Sequence, residues 1–301
     1  MTNQDYQILL YYKFIHVQDP ETEAKVHLDL CKQLDLRGRV LIAPEGINGT
    51  VSGTIAQTNA YMDYMNQHPL FNDIVYKIDP YHQHAFKKMF VRSKKELVTF
   101  RVEHELDPSK KTGQYLSPKK FYELLKDDDV IVIDGRNDYE YDLGHFRNAV
   151  RPDVSSFREF PEWIEKNLSQ FKGRKILTYC TGGIRCEKLT AYMLEEGFDD
   201  VYQLDGGIVS YGRDPEVKGE FFDGKCYVFD ERISVPINRV EEKIVGTCIH
   251  CGNQTEQYIN CRVTTCNLQH LCCEDCNETF NGFCSHECKE KTDAVYLEEV
   301  R

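Results

Sequence analysis

Two hydrophobic rhythms alternate along the N-terminal part of the chain. The run "QILLYYKFI" (7–15) has the length of a strand, whereas residues 20–36, "PETEAKVHLDLCKQLDL", space their apolar positions at helical intervals behind Pro20. "GRVLIA" predicts a second strand, "PEGINGT" (44–50) a turn, "TVSG" a third strand, "TIAQTNAYMDYMNQH" a helix and "IVYKID" a fourth strand. The resulting βαββαβ order predicts a ferredoxin-like α+β domain over residues 1–80, with two helices on one face of an antiparallel sheet. An unspecialised domain that only supports the rest of the chain gives the same pattern.

From residue 115 the pattern becomes helix and strand in turn. "SPKKFYELLK" starts with Ser117 at the N-cap and Pro118 at the first helical position. "VIVID" and "KILTY" are unbroken apolar runs, as expected of parallel strands covered on both faces. "CEKLTAYMLEEGF" is a helix ended by Gly197, and "VYQL" is a strand. Residues 115–219 therefore predict an α/β domain with a mostly parallel sheet, in which chemistry gathers at the carboxyl ends of strands. Cys180 stands at such an end. From 220 to 301 apolar runs are few after "CYVFDERISVP", and the region reads as a cysteine-rich C-terminal segment.

Between the first two domains, 81–114 reads as a basic linker. Residues 77–120 hold eleven Lys or Arg against five Asp or Glu, although the whole chain carries a net charge of −12. Cations interleaved with Tyr81, Phe86 and Phe90 suit single-stranded RNA, where they hold phosphates and the rings stack on bases. Lys87, Lys88, Arg92, Lys94 and Lys95 are the candidate RNA contacts; a solvated Lys-rich linker has the same composition. No stretch approaches the apolar length of a membrane span, and the N-terminus lacks a basic region and a small-residue cleavage site. These features predict a cytoplasmic protein without membrane contact.

Thirteen cysteines without a secretion signal point to metal or redox chemistry rather than disulfides. Nine lie between Cys248 and Cys288, as C-x2-C (Cys248, Cys251), C-x4-C (Cys261, Cys266), Cys272, a second C-x2-C (Cys273, Cys276) and C-x3-C (Cys284, Cys288). Such spacing predicts tetrahedral zinc. Eight thiolates serve two ions and leave Cys272 over; dropping one pair leaves a single four-cysteine site, His250, His270 and His286 can substitute for thiolates, and reduced thiols without metal give the same spacing. A short polar segment needs a staple of this kind in order to fold.

The loop "YCTGGIRCEK" (179–188) leaves a strand and enters a helix. There, backbone N–H groups and the helix N-terminus favour an anion, so a thiol at Cys180 loses its proton readily. Gly182 and Gly183 permit the curl and a close substrate approach. Arg185 either clamps the loop or binds an anionic group.

"IDGRNDYEYDLGHFRNAV" (133–150), placed about 45 residues before the cysteine loop, resembles the rhodanese signature. Together with "APEGINGTVSG", "CTGGIRCEK", "LDGGIVSYG" and "VFDERISVP", it resembles the bacterial rhodanese-domain tRNA uridine-34 hydroxylase family over nearly the whole chain. The resemblance implies oxygen-dependent hydroxylation of the wobble uridine to 5-hydroxyuridine in the tRNA anticodon loop, with O2 as co-substrate and an unidentified reductant. Cys180 takes the family's active-site position, supported by Thr181, Gly182, Gly183, Ile184 and Arg185. Asp134 and Arg136 match the rhodanese Asp-x-Arg and are expected to be structural. Gly144 and His145 are expected to shape a loop near the site. Cys186 either resolves an oxidised Cys180 or packs as a helical thiol.

Two mechanisms fit the implied reaction. Cys180 attacks C6 of the uracil and activates C5, with loop N–H groups or Arg185 stabilising the developing charge; or Cys180 carries a persulfide or oxidised sulfur. No flavin, haem or nicotinamide site is evident, and "LDGGIVSYG" lacks G-x-G-x-x-G. A thiosulfate-type sulfurtransferase and a non-catalytic zinc-containing RNA-binding module are the competing functions. The sequence sets no oligomeric state.

Overall fold

The computed structural model describes residues 5–290 apart from positions 103 and 105. Its N-terminal sheet contains β1 (Tyr6–Phe14), β2 (Arg37–Ala43), β3 (Gly46–Thr54), β4 (Lys77–Tyr81) and β5 (Met89–Ser93), in the order β4-β1-β3-β2-β5. Helices α1 (Pro20–Gln33) and α2 (Ile55–Gln67) cover one face. Asp19 accepts a hydrogen bond from the Thr22 backbone N–H at the start of α1, and Thr54 and Gln57 form a capping box at α2. Leu9, Tyr11, Val40, Ile42 and Val51 point to that side and pack with Ala24, Cys31, Tyr61 and Met65. The alternate residues, among them Leu10, Tyr12, Arg39, Leu41 and Thr50, are left for the other face.

Two expectations change here. Residues 81–114, read as a basic linker, contribute β5, which extends the sheet in parallel with β2 from Gly38 and Met89 to Ile42 and Ser93. The turn read over 44–50 shrinks to Pro44 and Glu45, because β3 already begins at Gly46. The glycines that suggested a turn serve strand packing instead. A Cβ at Gly46 would stand 2.0 Å from the Lys13 carbonyl oxygen, and one at Gly49 2.3 Å from the Tyr11 hydroxyl.

The central domain runs β6 (Gln114–Leu116), α3 (Pro118–Leu124), β7 (Ile131–Asp134), α4 (Asp138–Leu143), β8 (Gly144–Phe146), α5 (Phe160–Asn167), β9 (Ile176–Tyr179), α6 (Ile184–Glu195), β10 (Val201–Leu204) and α7 (Gly207–Arg213). Its sheet, ordered β6-β10-β9-β7, is wholly parallel. One face carries Phe157, Phe160, Trp163, Leu189 and Met193; the other carries Leu116, Phe121, Ile208 and Tyr211. Both faces are thus covered, as the continuous apolar strands predict.

Asp134, at the end of β7, and Arg136 form a fully buried bidentate pair, Nε to Oδ1 at 2.9 Å and Nη2 to Oδ2 at 2.6 Å. The same Nη2 donates to the Gly144 carbonyl at 2.6 Å. Losing one member of such a pair strands a buried charge, at a cost of about 3–5 kcal/mol. The pair therefore fixes the β7–α4–β8 connection.

The C-terminal part begins as β11 (Phe222–Tyr227), which pairs antiparallel with β8 and with β12 (Ser234–Pro236). It continues through the β13 (Tyr258–Asn260) and β14 (Gln269–Leu271) hairpin to α8 (Glu274–Phe280). Residues 291–301 of the expected C-terminal region lie outside the described residues. Among those described, no helix is long and apolar enough to cross a membrane.

Candidate active site

Cys180 opens the four-residue connection between β9 and α6. Gly183, at φ +107°, turns its N–H onto the Cys180 Sγ at 3.1 Å. The start of α7 grips the loop from the side: Ile208 N–H donates to the Cys180 carbonyl at 3.0 Å and Val209 N–H to that of Thr181 at 3.1 Å. Gly207 makes this approach possible, since a Cβ there would lie 2.5 Å from the Cys180 oxygen. Gly207 of "LDGGIVSYG" therefore serves the cysteine loop, while Gly206 packs on Ser210 and Gly212 on Ile237.

Burial alone would push the Cys180 thiol up. A hydrogen bond from the Cys186 thiol, the Arg185 charge and the Cys186 and Gly183 N–H groups outweigh it and bring the value down to about 6. Cys186 moves the other way, pushed up by burial and by its bond to Cys180.

Arg185 is not a free anion binder. Its Nη1 and Nη2 donate to the two Glu140 oxygens at 2.6 and 2.8 Å, and Nη2 reaches Thr181 Oγ1 at 3.2 Å. Burial would raise Glu140, but the Arg185 charge overrides it and holds the carboxyl below its usual range. Of the two roles open to Arg185, the geometry matches the loop clamp. Glu140 escaped sequence reading because nothing local marks it; it stands inside "NDYEYDLGHF", and its partner is 45 residues away.

The open face of the N-terminal sheet closes over this loop. A Cβ on Gly182 would meet Leu10 at 3.0 Å, and one on Gly183 would meet the Tyr12 hydroxyl at 2.8 Å. Tyr12 donates to Glu187 at 2.8 Å, and the buried Lys188 ammonium lies 2.9 Å from Glu45 and 2.8 Å from Glu96. "APEGINGTVSG" and "CTGGIRCEK" are thereby joined through Glu45 and Lys188.

Between sheet and loop lies a cavity of about 260 Å³, where Cys180, Thr181, Gly182, Ile184 and Arg185 face Arg39, Asn48, Phe86 and Phe229. Cys180 is only 1% exposed, so this chamber is its environment. Arg39 and Leu41 also line an adjoining groove of about 330 Å³ with Phe90, Arg92 and Lys94. The candidate RNA contacts divide accordingly. Arg92 and Lys94 lie in the groove, Lys87 pairs with Glu231 at 3.3 Å, and Lys88 and Lys95 are exposed elsewhere on the same segment. A larger cleft of about 1110 Å³ lies beyond Tyr12 and does not include Cys180. His145 stacks on Tyr141 at 3.9 Å and faces Val245 and Thr247 of the C-terminal part, away from the cysteine loop.

Family models match three segments: residues 6–97 as "UPF0176 acylphosphatase like domain", 117–214 as "Rhodanese-like domain" and 223–289 as "Rhodanase C-terminal". Proteins named tRNA uridine(34) hydroxylase are similar over almost the full length. The one from Bacillus licheniformis is 56% identical over 99% of this chain and 92% of its own. Those from Bacillus velezensis and Oceanobacillus iheyensis are 55% and 53% identical over 98% and 99% of this chain, and 92% of theirs. The chain belongs to the tRNA uridine(34) hydroxylase family. The family's rhodanese-like segment spans the cysteine loop, and its N-terminal segment supplies the sheet that covers it.

The cysteines of the family's C-terminal segment converge into two groups. Cys248, Cys251, Cys273 and Cys276 form one; Cys261, Cys266, Cys284 and Cys288 form the other. These are the eight thiols expected as ligands, and they pair first with third and second with fourth, so the groups interlock. Sγ separations of 3.7 Å (Cys251–Cys273 and Cys266–Cys284) and 3.6 Å (Cys284–Cys288) far exceed a disulfide bond. They match the edge, roughly 3.8 Å, of a tetrahedron of sulfurs about 2.3 Å from a central metal ion.

Alkylation of Cys180 by iodoacetamide, followed by peptide mass spectrometry, will rise with pH about a midpoint near 6. Cys186→Ala removes the thiol donor and will move that midpoint upward.

Proposed function

We propose that this chain hydroxylates C5 of tRNA uridine 34 in the cytoplasm, with the base turned out of the anticodon stack into the chamber beside Cys180. The chamber itself carries the reading: an activated thiol faces a covered space between two domains rather than open solvent. Phe86 and Phe229 offer ring faces to a base, and the Asn48 carboxamide offers the donor and acceptor that a uracil edge requires. The groove beyond Arg39 takes the flanking nucleotides, with Arg92 and Lys94 on phosphates and the exposed Phe90 ring as a stacking surface.

The Cys180 thiolate adds to C6, and the electron pair displaced toward C5 makes that carbon nucleophilic. The Gly183 N–H, which holds the sulfur charge at the start, and the Asn48 amide serve the charge that moves onto the uracil carbonyl. One atom of O2 ends on C5 and the other leaves as water, which takes two electrons and two protons from a reductant. Loss of the C5 proton then expels the thiolate and restores the ring. Arg185, held by Glu140, positions the loop.

Zinc is the ion assigned to both four-cysteine groups, bound as a structural staple by thiolates alone. No step of the reaction passes through it.

Nucleosides from a strain lacking the protein will lose one oxygen atom at the wobble uridine; wild type will restore it and Cys180→Ser will not. Unchanged nucleosides together with thiosulfate turnover would overturn the reading in favour of sulfur transfer. Arg92→Glu combined with Lys94→Glu will weaken tRNA binding and flatten the slope of log affinity against log salt by roughly 1.4, the share of two phosphates on a single strand. Lys87→Glu, whose native partner is Glu231, will change the slope less.

A further inference from the structure

Three side chains beside the first four-cysteine group form another donor set. His250 lies between Cys248 and Cys251, His270 is on β14, and Cys272 precedes Cys273. One ligand atom from each lies within 4.8 Å of the others. His270 and Cys272 are buried, at 4% and 0% exposure. We propose that His250, His270 and Cys272 bind a third transition metal ion, in addition to the two held by cysteines alone.

The hydrogen-bond inventory points to a ligand at this place. Nε2 of both histidines is buried without a partner, and a polar nitrogen stranded in that way is costly. On His270 the other ring nitrogen is engaged: Nδ1 lies 3.1 Å from the Leu268 carbonyl, to which its N–H donates. That bond places the lone pair on Nε2, the tautomer a metal requires, and repeats the backbone support that metal-bound histidines usually have. The His250 ring is fixed by stacking on Phe280, with centroids 3.7 Å apart, and it meets the His270 ring at 88°. The Cys272 thiol makes a long contact, 3.5 Å, to the Cys273 carbonyl and stands beside Cys248 of the first four-cysteine group.

Two imidazoles and a thiolate suit a borderline-soft ion such as Zn2+, Co2+ or Cu2+. A divalent ion bound by four thiolates carries a net charge of −2, so the adjacent group favours a second cation. Three protein ligands leave a fourth position open, unlike the closed sets of four cysteines.

Full-length protein saturated with Zn2+ and passed over a weak chelating resin will hold three ions per chain by elemental mass spectrometry. X-ray absorption at the zinc edge will show a nitrogen shell at about 2.0–2.1 Å beside the sulfur shell. Cys272→Ser and His270→Gln will each hold two ions, and His270→Gln will diminish the nitrogen shell. The wild-type absorption spectrum tests the site even if a variant fails to fold. Two ions per chain with sulfur ligands alone would overturn the proposal, leaving water as the partner of the two nitrogens, while the four-cysteine assignment stands. Cys251→Ala, which lowers the count only if the first four-cysteine group holds metal, tests that assignment separately.

Discussion

Leu10 and Tyr12 of β1 lie against the glycine pair of the cysteine loop, and this contact decides what Cys180 meets. A Cβ on Gly183 would push on the Tyr12 hydroxyl, and one on Gly182 would press on a Leu10 methyl at 3.0 Å. The contact is reinforced where desolvation makes it most demanding, by Lys188 between Glu45 and Glu96 and by Glu187 beneath Tyr12 and Tyr115. Buried charges of this kind tolerate little displacement, because each loses its hydration only in exchange for well-placed partners. A rhodanese-type loop that would otherwise open to solvent becomes the floor of a chamber, with a β-sheet as its roof.

The C-terminal part completes the chamber wall. Phe229, which follows β11, packs on Tyr227 at 5.1 Å; Tyr227 in turn meets Tyr258 at 5.8 Å and donates to Gln269 at 3.0 Å. Tyr258 also donates to the Tyr139 carbonyl on α4. The hairpin that carries these residues is bordered by the cysteine groups, whose interlocked pairing ties four short stretches of chain together. Cysteine groups far from Cys180 in sequence thereby border the hairpin that backs one of the aromatic surfaces beside it.

Much of the fold was legible because its signals are local. The βαββαβ rhythm, the apolar parallel strands, the position of Cys180 at a strand end and the eight cysteines that converge into two groups of four all follow from spacing. What was hidden depends on partners far apart in the chain. Arg185 looks like a free cation until Glu140 is brought to it, and the glycines of "PEGINGT" look like a turn until β1 is laid beside them. Asn48 and Glu45 were visible within "APEGINGTVSG" and Phe229 within "VFDERISVP", but their chemistry arises only when the sheet is seated on the loop. Phe90, Arg92 and Lys94 were legible as a basic aromatic stretch; the strand register that sets them beside Arg39 was not.

Whether Cys180 bonds to C6 of a uracil held in this chamber is read out by tRNA carrying 5-fluorouridine at position 34. Fluorine replaces the C5 proton whose loss would expel the thiolate, so the sulfur–carbon bond accumulates. Attack at C6 yields a denaturation-stable protein–tRNA adduct that maps to Cys180 by mass spectrometry and is absent from Cys180→Ser. Enzyme that hydroxylates unmodified tRNA yet never forms that bond would contradict it.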